Sequence, residues 1–169
     1  MIRLILGGDK SGKSAFALSA LQEGAGPHLL LATGQAADFS FRRQILEHRT
    51  ARAPHIPVRE TGTDLVSALL RGRDGFGSVL VDSLDFWLFA CREAGMQQYS
   101  GDLAECLRLV GRDTEITLVS CEAGLGPVPA DRATRMFIRE LGALNQTVAA
   151  LADEVCFMVA GIPMYLKRR

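Results

Sequence analysis

The chain has 169 residues, 48% of them hydrophobic and 22% charged, which is enough apolar side chain for one core and excludes a disordered, collagenous or rod-like chain. Nineteen Lys and Arg balance nineteen Asp and Glu, so no net field draws the chain to nucleic acid or to an anionic membrane. Any phosphate chemistry therefore has to rest on local placement.

In chain order, an apolar run at Ile2 to Leu6 reads as a buried strand, followed by a glycine-rich loop and a helical pattern over Lys13 to Gln22. His28 to Ala32 reads as the next strand and Phe39 to Arg52 as the next helix. Pro54 and Pro57 break the chain before a helix at Asp64 to Leu70, and Gly72, Gly75 and Gly77 punctuate the approach to a strand at Ser78 to Val81. Ser83 to Phe89 can form a helix capped by Asp82, and Asp102 to Val110 forms another. A strand at Ile116 to Val119, a long helix at Asp131 to Leu151 and a strand at Glu154 to Val159 complete the series. The long helix is the clearest, with Ala133, Phe137, Leu141, Leu144, Val148 and Leu151 stepping by three or four along one face.

Near-continuous apolar strands alternating with helices predict a mostly parallel sheet covered on both faces, an α/β fold in a single domain over residues 1–169. The Leu4 to Leu6 run meets glycine before it reaches the roughly seven residues of a signal-peptide core. Val155 to Leu166 contains Gly161 and Pro163 and falls short of the ~20 residues that span a bilayer. A cytoplasmic chain without membrane insertion is expected. Cys91, Cys106, Cys121 and Cys156 form no C-x-x-C pair and read as reduced, mostly buried thiols.

Gly7-Gly8-Asp9-Lys10-Ser11-Gly12-Lys13-Ser14 matches G-x-x-x-x-G-K-[ST] between a predicted strand and a predicted helix, the context that makes this pattern a P-loop. Its glycines let backbone N–H groups turn toward phosphate oxygens, the helix start adds partial positive charge, and Lys13 reaches the β and γ phosphates. Ser14 is the expected Mg²⁺ ligand. The apolar run Val79 to Val81 ends in Asp82, the candidate second acid on the metal side, with a helix cap as its other reading.

Ile45, His48 and Arg52 fall on one helical face, within a basic set of Arg42, Arg43, Arg49, Arg52 and Arg59 suited to a polyphosphate; a solvated surface histidine is the plainer reading. Glu122, before Gly124 and Gly126, either organises a site or sits in a structural turn.

Together these residues resemble the bifunctional adenosylcobinamide kinase / adenosylcobinamide-phosphate guanylyltransferase family of cobalamin biosynthesis. The loop Gly7 to Ser14 is similar to the family's G-G-x-x-S-G-K-S. His48, Arg49 and Arg52 match its H-R-x-x-R, Glu60 a following Glu, and Asp82, Leu84, Trp87 and Leu88 its D-x-L-x-x-W-L. The C-terminal third matches most fully, through Val119 to Pro129, Asn145-Gln146, Ala152-Asp153, Ala160-Gly161-Ile162-Pro163 and Lys167. Cys121 stands where the family commonly has Asn, Gln44 where it has Arg, and Ser40 lies in a weakened acidic stretch.

The resemblance implies a RecA-like fold and two reactions. One phosphorylates adenosylcobinamide with ATP or GTP. The other transfers GMP from GTP to adenosylcobinamide phosphate, giving adenosylcobinamide-GDP and pyrophosphate through a GMP-histidine intermediate. It assigns catalysis to His48 and Lys13, and nucleotide binding to Gly7, Gly8, Asp9, Lys10, Ser11, Gly12, Lys13, Ser14, Thr33, Gly34, Arg49, Arg52, Glu60 and Asp82. It places Mg²⁺ on Ser14 and Asp82 as the nucleotide's partner, implies no permanently bound cofactor, and implies a homotrimer. A P-loop kinase of another small alcohol without guanylyl transfer, and a nucleotide-binding module without turnover, are the alternatives.

Overall fold

The fold is given by a computed structural model, which describes residues 1–34 and 56–168. Seven strands form one sheet in the order β3-β2-β4-β5-β1-β6-β7. They are β1 (Ile2–Gly7), β2 (His28–Ala32), β3 (Val58–Glu60), β4 (Ser78–Asp82), β5 (Glu115–Val119), β6 (Glu154–Val159) and β7 (Ile162–Arg168). All neighbours pair in parallel except β6 and β7, which are antiparallel. The helices are α1 (Lys13–Glu23), α2 (Leu65–Gly72), α3 (Leu84–Glu93), α4 (Tyr99–Val110) and α5 (Arg132–Leu151), with a 3₁₀ turn at Ala123–Leu125. The expected helix at Phe39 to Arg52 lies outside the described residues.

Because side chains alternate across a strand, the apolar runs feed two cores, one on each face. Leu4, Leu31, Val79, Val81, Leu118 and Val155 face one side and meet α2, α3, α4 and α5. Ile5, Leu30, Leu80, Val119 and Cys156 face the other, where Ala17 and Leu21 of α1 lie against them. Trp87 of α3 is buried in the first core, with its indole N–H donating to the Thr63 carbonyl at 3.2 Å and its ring edge-on to Tyr99.

Helix α5 begins at Asp131, whose carboxylate accepts the Thr134 N–H at 2.7 Å, a side-chain N-cap. Its buried stripe is Leu141, Leu144, Asn145 and Val148, so the expected apolar face is fully covered only in the second half of the helix and carries one polar member. Lys167 closes the other end by donating to the carbonyls of Ala149 and Ala150, at 2.9 and 3.2 Å.

Two strands escaped the sequence pattern. The three-residue β3 is exposed along its length and has no apolar run to reveal it. In β7, Gly161 and Pro163 read as chain breakers; here Ala160 and Gly161, with φ 52° and 79°, make a two-residue hairpin turn, and Pro163 is tolerated because β7 is an edge strand. Among the described residues no helix is long and apolar enough to cross a membrane.

Candidate active site

Parallel pairing brings the carboxyl ends of β1 to β5 to one edge of the sheet, the edge at which open α/β sheets bind ligands. Gly7 ends β1, and Thr33, Glu60, Asp82 and Ser120 end or follow β2, β3, β4 and β5. The register sets Glu60, Ala32 and Asp82 level with one another across three strands.

The P-loop runs from Gly7 into α1, whose N-cap is Gly12. Gly12 has φ 96°, a left-handed conformation that favours glycine. At Gly7, with φ 155°, a Cβ would come within 2.6 Å of Ser11 Oγ and 2.7 Å of the Met158 carbonyl oxygen. Lys10 also has a positive φ, and its N–H donates to the Asp9 carboxylate at 2.9 Å. Lys13 Nζ donates to the Gly8 carbonyl at 2.5 Å, so its ammonium folds back over the loop. Ser11 is buried, and its hydroxyl has no hydrogen-bond partner among the described residues.

Ser14, in the first turn of α1, donates its hydroxyl to Asp82 Oδ1 at 3.4 Å across 68 residues of sequence. The N-cap position of α3 falls on Ser83, not on Asp82. Thr33 braces this junction: its N–H donates to the Asp82 carbonyl at 3.2 Å, and its hydroxyl accepts from Ser83 N–H at 2.9 Å and donates to the Ser83 carbonyl. Gly34 lies beside Phe86, whose ring a Cβ there would meet at 3.7 Å. Glu60 is exposed at the end of β3. His48, Arg49 and Arg52 lie outside the described residues.

A hydroxyl and a carboxylate facing each other at the start of the P-loop helix fit Mg²⁺, a hard cation that takes few protein oxygens and completes its shell with water and phosphate. The described residues contain no cluster of three or more His, Cys, Asp and Glu side chains.

Sequence reasoning assigned no role to Asn145, which the structure places behind the site. The Ser120 hydroxyl donates to Asn145 Oδ1 at 2.6 Å, and Asn145 Nδ2 donates to the Cys121 carbonyl at 3.0 Å and toward Glu122 Oε2 at 3.4 Å. The Glu122 main-chain N–H in turn donates to the Gly7 carbonyl at 3.1 Å. Glu122 thus organises the loop through its backbone, while Ala123–Leu125 forms the turn beside it. A polar residue in the apolar stripe of a long helix was the available signal. Cys121 is partly exposed; burial pushes its thiol up, the Asp85 carboxylate adds to this, and Lys13 pulls the other way.

The sheet, the glycine loop entering α1 and the Ser14–Asp82 pair define a P-loop nucleotide-binding α/β domain. The same fold is seen in an ATPase from the type III secretion system of pathogenic bacteria, with a TM-score of 0.58 at 14% identity over 97% of this chain; the chain spans 56% of that ATPase's length. Residues 3–166 match the model of the cobinamide kinase / cobinamide phosphate guanyltransferase family, and the chain belongs to that family of enzymes. It is 39% identical to the bifunctional adenosylcobalamin biosynthesis protein CobP of Pseudomonas aeruginosa, over 97% of this chain and 96% of that protein. It is also 29% and 30% identical to the bifunctional adenosylcobalamin biosynthesis proteins CobU of Salmonella typhimurium and Escherichia coli, over 99% of this chain and all of each relative.

Proposed function

We propose that this chain catalyses both reactions: phosphorylation of adenosylcobinamide, then guanylyl transfer to the product. The observation that carries the reading is the facing of the Ser14 hydroxyl and the Asp82 carboxylate at the mouth of an intact P-loop, in a chain of this family. In the kinase step the aminopropanol hydroxyl oxygen bonds to the γ phosphorus of ATP or GTP and gives up its proton to solvent, the bond from that phosphorus to the bridging oxygen breaks, and the nucleoside diphosphate leaves. The N–H groups of Ser11 to Ser14 bind the departing phosphates, and Lys13 swings from the Gly8 carbonyl to the phosphate oxygens, adding positive charge where negative charge develops. Ser14 and Asp82 would hold Mg²⁺, which neutralises the phosphate oxygens when bound.

In guanylyl transfer the His48 imidazole displaces pyrophosphate from the α phosphorus of GTP, forming a phosphorus–nitrogen bond. A phosphate oxygen of adenosylcobinamide phosphate then displaces the imidazole, leaving adenosylcobinamide-GDP. A neutral imidazole, with a reference pKa of ~6.5, is a competent nucleophile near neutrality, and two displacements replace one difficult transfer. Arg49 and Arg52 stabilise the transferring phosphate, with Gly34 and Glu60 as further nucleotide contacts; Thr33 is buried with its N–H and hydroxyl both engaged at the Asp82–Ser83 junction, so it supports the site from behind and does not touch the nucleotide. The homotrimer, with sites near subunit boundaries, and a cytoplasmic location belong to the same proposal; light scattering of the purified protein tests the trimer.

The deciding experiment mixes the protein with GTP and Mg²⁺ in the absence of corrinoid. His48 acquires GMP in a bond stable to alkali and lost in mild acid, because protonating the nitrogen makes imidazole a good leaving group. His48→Asn loses the label and guanylyl transfer but keeps kinase activity, since phosphoryl transfer needs positioning and not a covalent histidine. GMP found on His28 or His55, or no label while the transferase remains active, removes His48 from the mechanism.

A further inference from the structure

The turn between β6 and β7 touches the P-loop. Gly161 N–H donates to the Ser11 carbonyl at 2.9 Å, and the backbones approach so closely that a Cβ on Gly12 would lie 3.1 Å from the Gly161 Cα. In a two-residue turn joining Val159 to Ile162, with both central residues at positive φ, the Gly161 N–H is left over from the hairpin ladder and can bond outside it.

The direction of that bond matters. The peptide joining Ser11 to Gly12 is planar and trans, so its carbonyl and its N–H point to opposite sides. Holding the carbonyl against the hairpin turns the Gly12 N–H away from it. Gly12 is the N-cap of α1, and the N–H groups at a helix start have no acceptor within the helix. We propose that the Ala160–Gly161 turn is a positioning device for the P-loop: Gly161 fixes the peptide between Ser11 and Gly12 so that the Gly12 N–H is presented to the polyphosphate of a bound nucleoside triphosphate. A hydrogen bond on the carbonyl also polarises the peptide and strengthens its N–H as a donor. The proposal rests on the nucleotide-binding reading of the loop. It gives Ala160-Gly161 a role in the site that neither its hairpin geometry nor the phosphate-loop pattern assigns by itself.

The test compares Gly161→Val with Gly161→Asn. Both side chains enter open space, since nothing lies within 4 Å of a Cβ there, so they differ in backbone preference: Asn tolerates φ 79°, whereas a β-branched residue does not. Gly161→Val should weaken binding of GTP with Mg²⁺ by about tenfold, the loss of one well-placed hydrogen bond. It should raise the nucleotide KM in both reactions while kcat changes by less than about twofold, as expected when ground-state binding alone is lost. Gly161→Asn should recover most of the affinity. In amide NMR, the Gly12 proton of the wild type should shift downfield on adding GTP with Mg²⁺, and should shift much less in Gly161→Val. If Gly161→Val does not fold, one glycine inserted between Ala160 and Gly161 displaces the donor while keeping backbone freedom, and should show the same loss. Wild-type protein that binds no GTP overturns the nucleotide reading and this proposal together. Wild-type binding matched by the folded turn variants, with the Gly12 shift intact, overturns the positioning role alone.

Discussion

Asn145 is the residue whose removal should disturb the site most without touching a ligand. It comes from the buried stripe of α5 and is 4% exposed, and it spans from the end of β5 to the Glu122 carboxylate. Asn145→Ala strands the hydroxyl of Ser120, which is 0% exposed, and the Cys121 carbonyl, besides leaving a small void. The orphaned buried Ser120 hydroxyl costs about 1–3 kcal/mol, the part-buried Cys121 carbonyl costs less, and the 3.4 Å contact to Glu122 adds little, so the variant should lose roughly 2–4 kcal/mol of unfolding free energy. That is a large part of the ~5–15 kcal/mol that holds a domain together. Urea denaturation followed by Trp87 fluorescence measures it. Because Ser120 is the main group stranded, adding Ser120→Ala to Asn145→Ala should cost less than Ser120→Ala does in the wild type, a coupling that a double-mutant cycle isolates. Folded Asn145→Ala should also bind GTP more weakly, since Glu122 N–H anchors the Gly7 carbonyl. A loss below about 1 kcal/mol, with no coupling to Ser120, would refute the bracing role.

Lys13→Ala should lower nucleotide turnover in both reactions by at least about 10²-fold, the scale for one lost charge-stabilising donor, with its melting curve preserved because the hydrogen bond that Lys13 makes among the described residues is to the Gly8 carbonyl of the exposed loop; near-normal turnover would sink the P-loop assignment. Burial pushes the Cys91 and Cys106 thiols up to about 11, so at pH 8 in the native state a thiolate-selective alkylating agent should modify the partly exposed Cys121 first; mass mapping that finds Cys91 or Cys106 labelled first contradicts the packing. The Thr134 N–H holds the Asp131 carboxyl below the usual carboxylate range, so its capping contribution is present above the unfolded pKa of ~3.9 and is lost as pH falls through the folded value. Asp131→Ala should accordingly destabilise the chain at pH 7, and the gap to wild type should narrow in acid; a gap that does not change with pH would exclude an ionised cap.

Features that depend on contiguous residues were legible in the chain itself. Five strands could be read from continuous apolar runs, because burial on both faces of a parallel sheet leaves no polar alternation to blur them. The phosphate loop could be read because its strand, its glycines and its helix follow one another within 23 residues. The ends of α5 were set by Asp131 and by the change to strand composition at Glu154. The remaining features are not written locally in the chain. β7 depended on Ala160 and Gly161 adopting left-handed conformations that a glycine and a nearby proline do not by themselves distinguish from a break. β3 is too short and too exposed to carry a pattern. Ser14 meets Asp82, Asn145 reaches Ser120, and Gly161 reaches Ser11 through sheet order and register, which place far-separated segments side by side. Chain-local chemistry specifies which groups are available; the pairing of strands, a cooperative property of the whole sheet, specifies which of them meet.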